Sequence, residues 1–432
     1  MSMLVSPPTI ASDVGSPEYM DCKVSNVSGC AEPSQTQPRE PTEKVSLFRP
    51  QTCHFELTVA MTNERVVVEI KDLEQLFDAL RQCGSLVGPT VREGAIAYDS
   101  VTAISDLPVG LIDEQEGGMY RLRKSNDERV FGCTVGPQSW KRFLFPPNLR
   151  LWKANRTIGN LKKVEDSHEA EKYVFIGVRS CELHAIAIQD KVFMKGEYSD
   201  PFYKARREGA FIVAVNCSRA SSNCFCESMN TGPRVTFGFD LALTEVLEDG
   251  AYFFVVQIGS DRGRSIIEAI PNHAATESES NAALRVSEAV RMQKTLVTDG
   301  IKELLYQNYE NPRWAEVADR CLTCGNCTLV CPTCFCSAVY DVTDLAGKQA
   351  ERWRKWDSCF SVDFSYIHGG SIRPSSMSRY RQWMTHKLGA WIDQFGTSGC
   401  VGCGRCITWC PVGIDLTEEA QAIRETEKIR VG

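Results

Sequence analysis

Two cysteine runs near the C-terminal end carry the clearest chemistry in this sequence. Each has the spacing C-x2-C-x2-C-x3-C-P, the first starting at Cys321 and the second at Cys400. In bacterial-type ferredoxins, three thiolates of such a run bind one [4Fe–4S] cubane, and the fourth ligates the neighbouring cluster. The spacing therefore predicts two clusters with crossed ligands. One ligand set is Cys321, Cys324, Cys327 and Cys410, and the other is Cys400, Cys403, Cys406 and Cys331.

Structural zinc is the alternative for these runs, because zinc sites also use C-x2-C pairs. A zinc ion needs only four ligands, and the doubled eight-cysteine pattern with a proline after each run fits a pair of cubanes better. Glycines between the cysteines, at Gly325, Gly402 and Gly404, allow tight turns and a close approach of backbone amides to cluster sulfurs.

A second set of cysteines follows two predicted strands, Tyr173–Val178 and Phe211–Val215. A helix between them predicts a βαβ unit with parallel strands, so both cysteine groups are expected at the same carboxyl edge of a sheet. Four cysteines there predict a third [4Fe–4S] cluster; zinc and buried or redox-active thiols are the alternatives. The expected ligands are Cys181, Cys217, Cys224 and Cys226. The side chains expected around them are Arg179, Arg219 and His184, of which the histidine is also a possible ligand.

Three further cysteines exceed what two cubanes need. Cys334 and Cys336 directly follow the first run, and Cys359 lies in the segment Trp-Asp-Ser-Cys-Phe. We expect them to shield or position the clusters rather than to ligate iron, and their roles are left unassigned.

The elements that must position these cysteines predict an α+β or α/β fold in two parts. Residues 1–45 hold six of the nineteen prolines and few large apolar residues, so they are interpreted as a disordered N-terminal extension. Residues 46–295 show mixed strand and helix patterns and form a predicted α/β domain. Residues 296–432 are predicted to form an α-helical ferredoxin domain that carries both runs. The helices expected in and before it are Asn281–Tyr306, Leu345–Trp353 and Arg379–Phe395.

Composition excludes several function classes. The chain carries a net charge of −7, which argues against nucleic-acid binding, and no apolar run approaches the length of a membrane span. Twenty cysteines without an export signal favour a cytoplasmic metal or redox protein. The sequence lacks the dinucleotide fingerprint, the P-loop and the H-E-x-x-H motif, so no catalytic residue is predicted. These observations indicate an electron conduit whose catalytic site lies on a partner.

The segments Trp314–Cys336, Trp356–Phe360 and Gly399–Asp415 resemble the β subunits of cytosolic [NiFe] hydrogenases of the sulfhydrogenase type. The A subunit of anaerobic sulfite reductase is similar as well. The resemblance extends from about residue 55 to 425. It implies an iron–sulfur electron-transfer subunit that links a flavin- and NAD(P)-binding γ subunit to the small and large subunits of a [NiFe] hydrogenase.

Two other functions are weighed against this one. The equivalent subunit of an anaerobic sulfite or sulfur reductase would use the same clusters. A cluster-based redox sensor is the remaining hypothesis, and the acidic charge weighs against a nucleic-acid target for it.

Overall fold

The computed structural model describes residues 64–157, 160–164, 170–248 and 250–431, so the predicted extension at 1–45 lies outside the described residues. The strands of the described chain are β1 (Arg65–Glu69), β2 (Ser85–Arg92), β3 (Ala95–Ser100), β4 (Leu111–Glu116), β5 (Met119–Lys124), β6 (Asn148–Thr157), β7 (Asn160–Val164), β8 (Tyr173–Val178), β9 (Phe211–Val215), β10 (Leu241–Glu248), β11 (Ala251–Ile258), β12 (His273–Ala274), β13 (Ser337–Thr343), β14 (Gln349–Trp356), β15 (Tyr366–Ile367) and β16 (Gly370–Ser371).

The α-helices of the same part of the chain are α1 (Leu73–Arg81), α2 (Lys141–Leu144), α3 (Ser180–Phe193), α4 (Pro201–Gly209), α5 (Asp261–Glu268), α6 (Glu277–Glu288), α7 (Ile301–Gln307), α8 (Arg313–Arg320), α9 (Asn326–Leu329), α10 (Ser376–Thr385), α11 (Trp391–Phe395), α12 (Arg405–Thr408) and α13 (Leu416–Val431). A π-helical turn, His386–Ala390, joins α10 to α11.

A mixed eight-stranded sheet organises the first part of the molecule. Its strand order is β12-β1-β11-β10-β9-β8-β2-β3, and the central pairs β2–β8, β8–β9 and β9–β10 are parallel. Strands β8 and β9 are apolar on both faces because helices or loops cover both sides. The predicted mixed α/β region is confirmed, and so is its βαβ unit, in which α3 follows β8 and β9 runs parallel to β8.

Side chains of β8 alternate between two cores until a bulge at Gly177 changes the register. Val174 and Ile176 pack with α1 on one face, and Phe175 packs with α3 and α4 on the other. Gly177 has a φ of +89°, a conformation that favours glycine, and the pairing with β9 shifts there. Val178 therefore points to the α3 side, and the next residues lead into the helix that carries Cys181.

A four-stranded sheet, in the order β13-β14-β6-β7, contains a hairpin from between the two cysteine runs. The prediction of a helix over Leu345–Trp353 is wrong, because most of that segment belongs to β14, which pairs with both β13 and β6. Its Ala, Glu, Arg and Lys content favours helix, but pairing on both edges overrides that local preference. The prediction of an α-helical ferredoxin domain over residues 296–432 is therefore corrected, because this region contains β-strands as well as helices. The predicted division at residue 295 stays a prediction, and β14 pairs across it with β6.

The predicted long helix Asn281–Tyr306 is two helices in the structure. Helix α6 ends at Glu288, and α7 begins at Ile301 after Gly300, whose φ is +62°. Between them the chain packs against the cysteine loop of the α/β part, where the Leu296 amide donates to the Ser228 hydroxyl at 3.1 Å and the Leu296 side chain is buried. Tertiary contact interrupts the helix at this point. The helical prediction for Arg379–Phe395 is confirmed by α10, the π-helical turn and α11.

Candidate iron–sulfur sites

The two cysteine runs fold into the same local structure. In the first, the Thr323 amide donates to the Cys321 sulfur at 3.4 Å; in the second, the Gly402 amide donates to the Cys400 sulfur at the same distance. Each run then passes through a left-handed glycine into a short helix. Gly325 has a φ of +76° before α9, and Gly404 has a φ of +73° before α12. The sequence repeat is therefore also a structural repeat, with backbone N–H groups directed at cysteine sulfurs.

Group A consists of Cys321, Cys324, Cys327 and Cys410, which line one small cavity with aromatic side chains around it. Burial raises the pKa of the Cys327 thiol, and so do the neighbouring thiols of Cys321, Cys410 and Cys324. The Ile414 amide donates to the Cys410 sulfur at 3.3 Å. The fourth cysteine of the second run thus lies with the first three of the first run.

Group B consists of Cys331, Cys400, Cys403 and Cys406. Burial raises the pKa of the Cys406 thiol, as do its neighbours Cys400, Cys403 and Cys331. Burial also raises the pKa of Cys400 to about 12, against the opposing effect of the Lys387 ammonium. The structure therefore brings together both sets of four that the crossed spacing predicts.

Lys387 is the main cation beside group B, and its role was not anticipated from the sequence. It lies in the π-helical turn and is buried, and its ammonium donates to the Cys331 sulfur at 3.1 Å and to the Gly399 carbonyl at the same distance. A lysine on a helix gives no sequence signal for this role, because the π-helical geometry that directs it inward depends on tertiary packing.

Group C consists of Cys181, Cys217, Cys224 and Cys226, at the carboxyl ends of β8 and β9. Burial raises the pKa of the Cys226 thiol, as do the thiols of Cys224, Cys217 and Cys403. Burial also raises the pKa of Cys181, and Cys226 and Cys403 are its next largest influences. The four predicted cysteines are gathered at the sheet edge, and a member of group B lies beside them.

The loop of group C packs directly against the second run. The Phe225 amide donates to the Gly402 carbonyl at 2.8 Å, and the Thr231 hydroxyl donates to the Val401 carbonyl at 2.7 Å. A Cβ atom on Gly402 would lie 2.6 Å from the Cys226 Cα, closer than such atoms can approach. Groups B and C are therefore adjacent, and a glycine makes that approach possible.

The three residues expected around group C have different roles. The Arg179 guanidinium donates to the Phe131 and Cys133 carbonyls at 2.7 and 2.9 Å, and it opposes the effect of burial on the pKa of Cys217. Arg219 pairs with the Asp113 carboxylate. The His184 ring packs edge-on against Phe237, with ring centroids 4.7 Å apart.

A buried ion pair that sequence reasoning missed joins the second run to the α/β part. The Arg405 guanidinium lies 2.5 Å from the Glu182 carboxylate, and both side chains are 1% exposed. The same carboxylate accepts from the Tyr98 hydroxyl at 2.8 Å and the Trp140 indole at 3.0 Å. Glu182 directly follows Cys181, and Arg405 directly precedes Cys406, so the pair fixes two cysteine groups relative to each other.

These thiol groups suit iron–sulfur clusters by their donor type, number and backbone N–H contacts. Across 64–157, 160–164, 170–248 and 250–431, no three His, Cys, Asp or Glu side chains could together hold one metal ion. A cubane offers a separate iron to each of its four ligands, so this finding on single ions leaves cluster binding open. None of the helices in the described part of the chain is both long and apolar enough to span a membrane.

Comparison with known proteins gives one family model and two relatives. Residues 320–414 match the 4Fe-4S dicluster domain. The chain is 30% identical over 356 residues to sulfhydrogenase 2 subunit beta of Pyrococcus furiosus, covering 81% of this chain and 96% of that one. It is 26% identical over 226 residues to F420-dependent formate dehydrogenase subunit beta of Methanocaldococcus jannaschii, covering 51% of this chain and 48% of the relative. No solved structure gives a significant match.

Proposed function

Because this chain belongs to the family of sulfhydrogenase β subunits, we propose that it passes electrons between a flavin- and NAD(P)-binding subunit and the small and large subunits of a [NiFe] hydrogenase. The family and the dicluster domain make the chain an iron–sulfur subunit and imply electron transfer. The partners and the cytoplasmic location expected from the sequence belong to the proposal. Its clusters, when bound, act as one-electron carriers.

The observation that carries this proposal is the contiguity of the three thiol groups. Groups A and B are connected through the crossed cysteines Cys331 and Cys410, and group C adjoins group B through Gly402. Their order along the molecule is C, B, A. We assign one [4Fe–4S] cluster to each group, and such a chain of carriers suits a conduit between partners. No residue is assigned a catalytic role.

The protein's own contribution is to hold the carriers and to set their reduction potentials. Backbone N–H groups that donate to cluster sulfurs stabilise added negative charge, and the amides of Thr323, Gly402 and Ile414 have this position. The buried ammonium of Lys387 acts in the same direction beside group B. The potentials of groups A and B are expected to rise through these contacts.

Group A is the proposed point of electron exchange with a partner. Cys324 is exposed, whereas Cys181 and Cys226 of group C are buried. Leu322, between two group A cysteines, has 61% of its surface exposed, so an apolar side chain is available there for a docking protein. A partner that covers this surface would bring its own redox centre beside group A.

Isolation of the native complex tests the hydrogenase destination. The tagged chain is purified anaerobically from its host, and nickel, flavin, iron and sirohaem are measured in the same sample. Stoichiometric nickel and flavin are expected. Sirohaem without nickel would replace the hydrogenase by the sulfite reductase alternative. A nickel-free chain without partners would contradict the proposal.

Iron analysis tests group C as a cluster site. A Cys224→Ala variant should lose about 4 iron atoms per chain, because one cubane loses a ligand. The matched control is Cys133→Ala, a buried cysteine whose carbonyl accepts from Arg179 but which belongs to none of the groups. If the Cys224→Ala variant keeps the same iron content as Cys133→Ala and the wild-type chain, group C holds no cluster and is not part of the electron path.

A further inference from the structure

Cys334, Cys336 and Cys359, called the cavity thiols below, line a cavity of about 390 Å³ that groups A, B and C do not use. Aromatic side chains, among them Trp383 and Trp391, form much of the remaining wall. The cavity is large enough for a compact inorganic group.

The hairpin β13–β14 brings the cavity thiols together. Ser337 at the start of β13 pairs with Trp356 at the end of β14, so the chain entering the hairpin lies beside the chain leaving it. The Asp357 amide donates to the Cys336 carbonyl at 2.9 Å. Cys336, at the entry to the hairpin, and Cys359, three residues after its exit, line the same cavity. Cysteines distant in sequence thus meet at the open end of the hairpin.

Two buried lysines lie beside this segment, one donating to cysteine sulfurs and the other to backbone carbonyls of the same cysteines. The Lys387 ammonium lies 3.7 Å from the Cys334 sulfur as well as 3.1 Å from the Cys331 sulfur. The Lys141 ammonium donates to the Cys334 and Cys331 carbonyls at 3.2 and 2.8 Å. Both lysines are nearly inaccessible, with 5% and 4% of their surfaces exposed.

Among the residues that the structure describes, no carboxylate forms an ion pair with either ammonium. Within the described chain, the hydrogen-bond partners of Lys387 and Lys141 are sulfurs, a hydroxyl and carbonyl oxygens. Buried lysines are rare unless an anion compensates them, because desolvation of the ammonium is costly. Two buried ammonium groups lie beside Cys331 and Cys334. We infer from them that the cavity holds negative charge in addition to that of the cluster at group B.

We propose that Cys334, Cys336 and Cys359 bind a fourth [4Fe–4S] cluster in this cavity, with Lys387 and Lys141 compensating its negative charge. The same wall carries the imidazole of His386, a nitrogen donor of the kind that replaces cysteine at some iron–sulfur centres. Lys387 contacts both Cys331 and Cys334, so the fourth cluster lies beside group B. The site is independent of which complex the chain joins.

Iron and sulfide analysis of the anaerobically prepared full-length chain tests the site. About 16 iron atoms per chain are expected, compared with about 12 for groups A, B and C alone. A variant with Cys334, Cys336 and Cys359 all changed to alanine should lose about a quarter of the iron. The control, Cys83→Ala, changes a half-buried cysteine in the α/β core and should lose none. Wild-type iron content in the triple variant would overturn the proposal, as would zinc in place of iron.

Thiol alkylation of the wild-type chain gives a second test that does not depend on a variant folding. Iodoacetamide is applied with and without prior iron chelation, and peptide mass spectrometry locates the label. The cavity thiols should gain label at least tenfold after chelation, whereas Cys83 should not change. Equal labelling of the cavity thiols before and after chelation, or a disulfide between Cys336 and Cys359 in the iron-loaded chain, would contradict iron ligation.

Discussion

At the scale of single residues, the pair between Arg405 and Glu182 has both of its charged side chains buried. Arg405 also donates to the Gly136 carbonyl at 2.9 Å, and Glu182 accepts from two aromatic side chains. Removal of one partner of a buried ion pair leaves an uncompensated charge in the protein interior. The pair therefore makes the position of the second run dependent on the α/β part.

Arg405→Met should lower the free energy of unfolding by about 3–5 kcal/mol, because Glu182 would remain buried without its cation. Chemical denaturation of the iron-loaded chain under anaerobic conditions measures the change. The control is Arg264→Met, which breaks a more exposed pair with Glu64 and should have little effect. Similar losses in both variants would contradict a special role for the buried pair.

Lys387→Met should lower the reduction potential of the group B cluster by tens of millivolts, because removal of a nearby positive charge disfavours the reduced state. A redox titration followed by electron paramagnetic resonance measures the shift. Lys191→Met is the control, since its ammonium donates to the Phe395 carbonyl and contacts no cysteine sulfur in the described structure. An unchanged or higher potential in Lys387→Met would show that the ammonium does not tune group B.

At the scale of elements, the two short helices α9 and α12 and the left-handed glycines before them form equivalent cradles. They differ in what lies beside them. Gly404 approaches the Asn223 carbonyl of the group C loop, whereas the nearest atom to a Cβ on Gly325 would be the Ser358 hydroxyl. The turn of the second run, at Gly404, thus contacts the α/β part, whereas the turn of the first run, at Gly325, contacts the segment after β14.

Gly402→Ala should displace the group C loop from the second run and reduce the iron content by about 4 atoms or more. The expected displacement results from the clash between the new Cβ atom and Cys226. The left-handed conformation of an alanine would by itself destabilise the fold by only about 1–2 kcal/mol. Gly396→Ala separates the two effects, because Gly396 has a φ of +67° but open space around it. Iron analysis of both variants should show loss only in Gly402→Ala, and retention of all iron there would contradict the close approach.

Local patterns in the sequence predicted the parts of the fold that are determined locally. The strands β8 and β9 follow from their continuous apolar runs, and the crossed cysteine groups follow from the spacing of the runs. The β14 strand was mistaken for a helix because its identity depends on pairing with β6, which is remote in sequence. Lys387 and the Arg405–Glu182 pair were missed for a related reason, since each depends on elements that meet only in the folded chain.

At the scale of the whole molecule, group B occupies a central position. It is linked to group A because each group takes one cysteine from the other's run, it contacts group C through Gly402, and it contacts the cavity thiols through Lys387. If each group holds the cluster proposed for it, electrons that enter at any of the other groups have a short route through group B. Damage to group B should interrupt transfer more completely than damage elsewhere.

Paired variants test the crossing of ligands. If Cys327 and Cys410 serve the same cluster, changing both to alanine should remove about 4 iron atoms. Changing Cys327 together with Cys331 should remove about 8, because two clusters each lose a ligand. Iron analysis of the two double variants decides the matter, and the reverse result would show that each run serves only its own cluster.

The proposed crossing of ligands between the runs would also set an order of assembly during synthesis. All four thiols of group C lie between residues 181 and 226, so a nascent chain contains them before either run is made. With crossed ligands, the three thiols at Cys321–Cys327 would wait for Cys410, which follows every other cysteine of this sequence. Group A is therefore the last site that the growing polypeptide can complete. A chain whose translation stops early would carry an incomplete cradle there, with Cys324 exposed to oxidants.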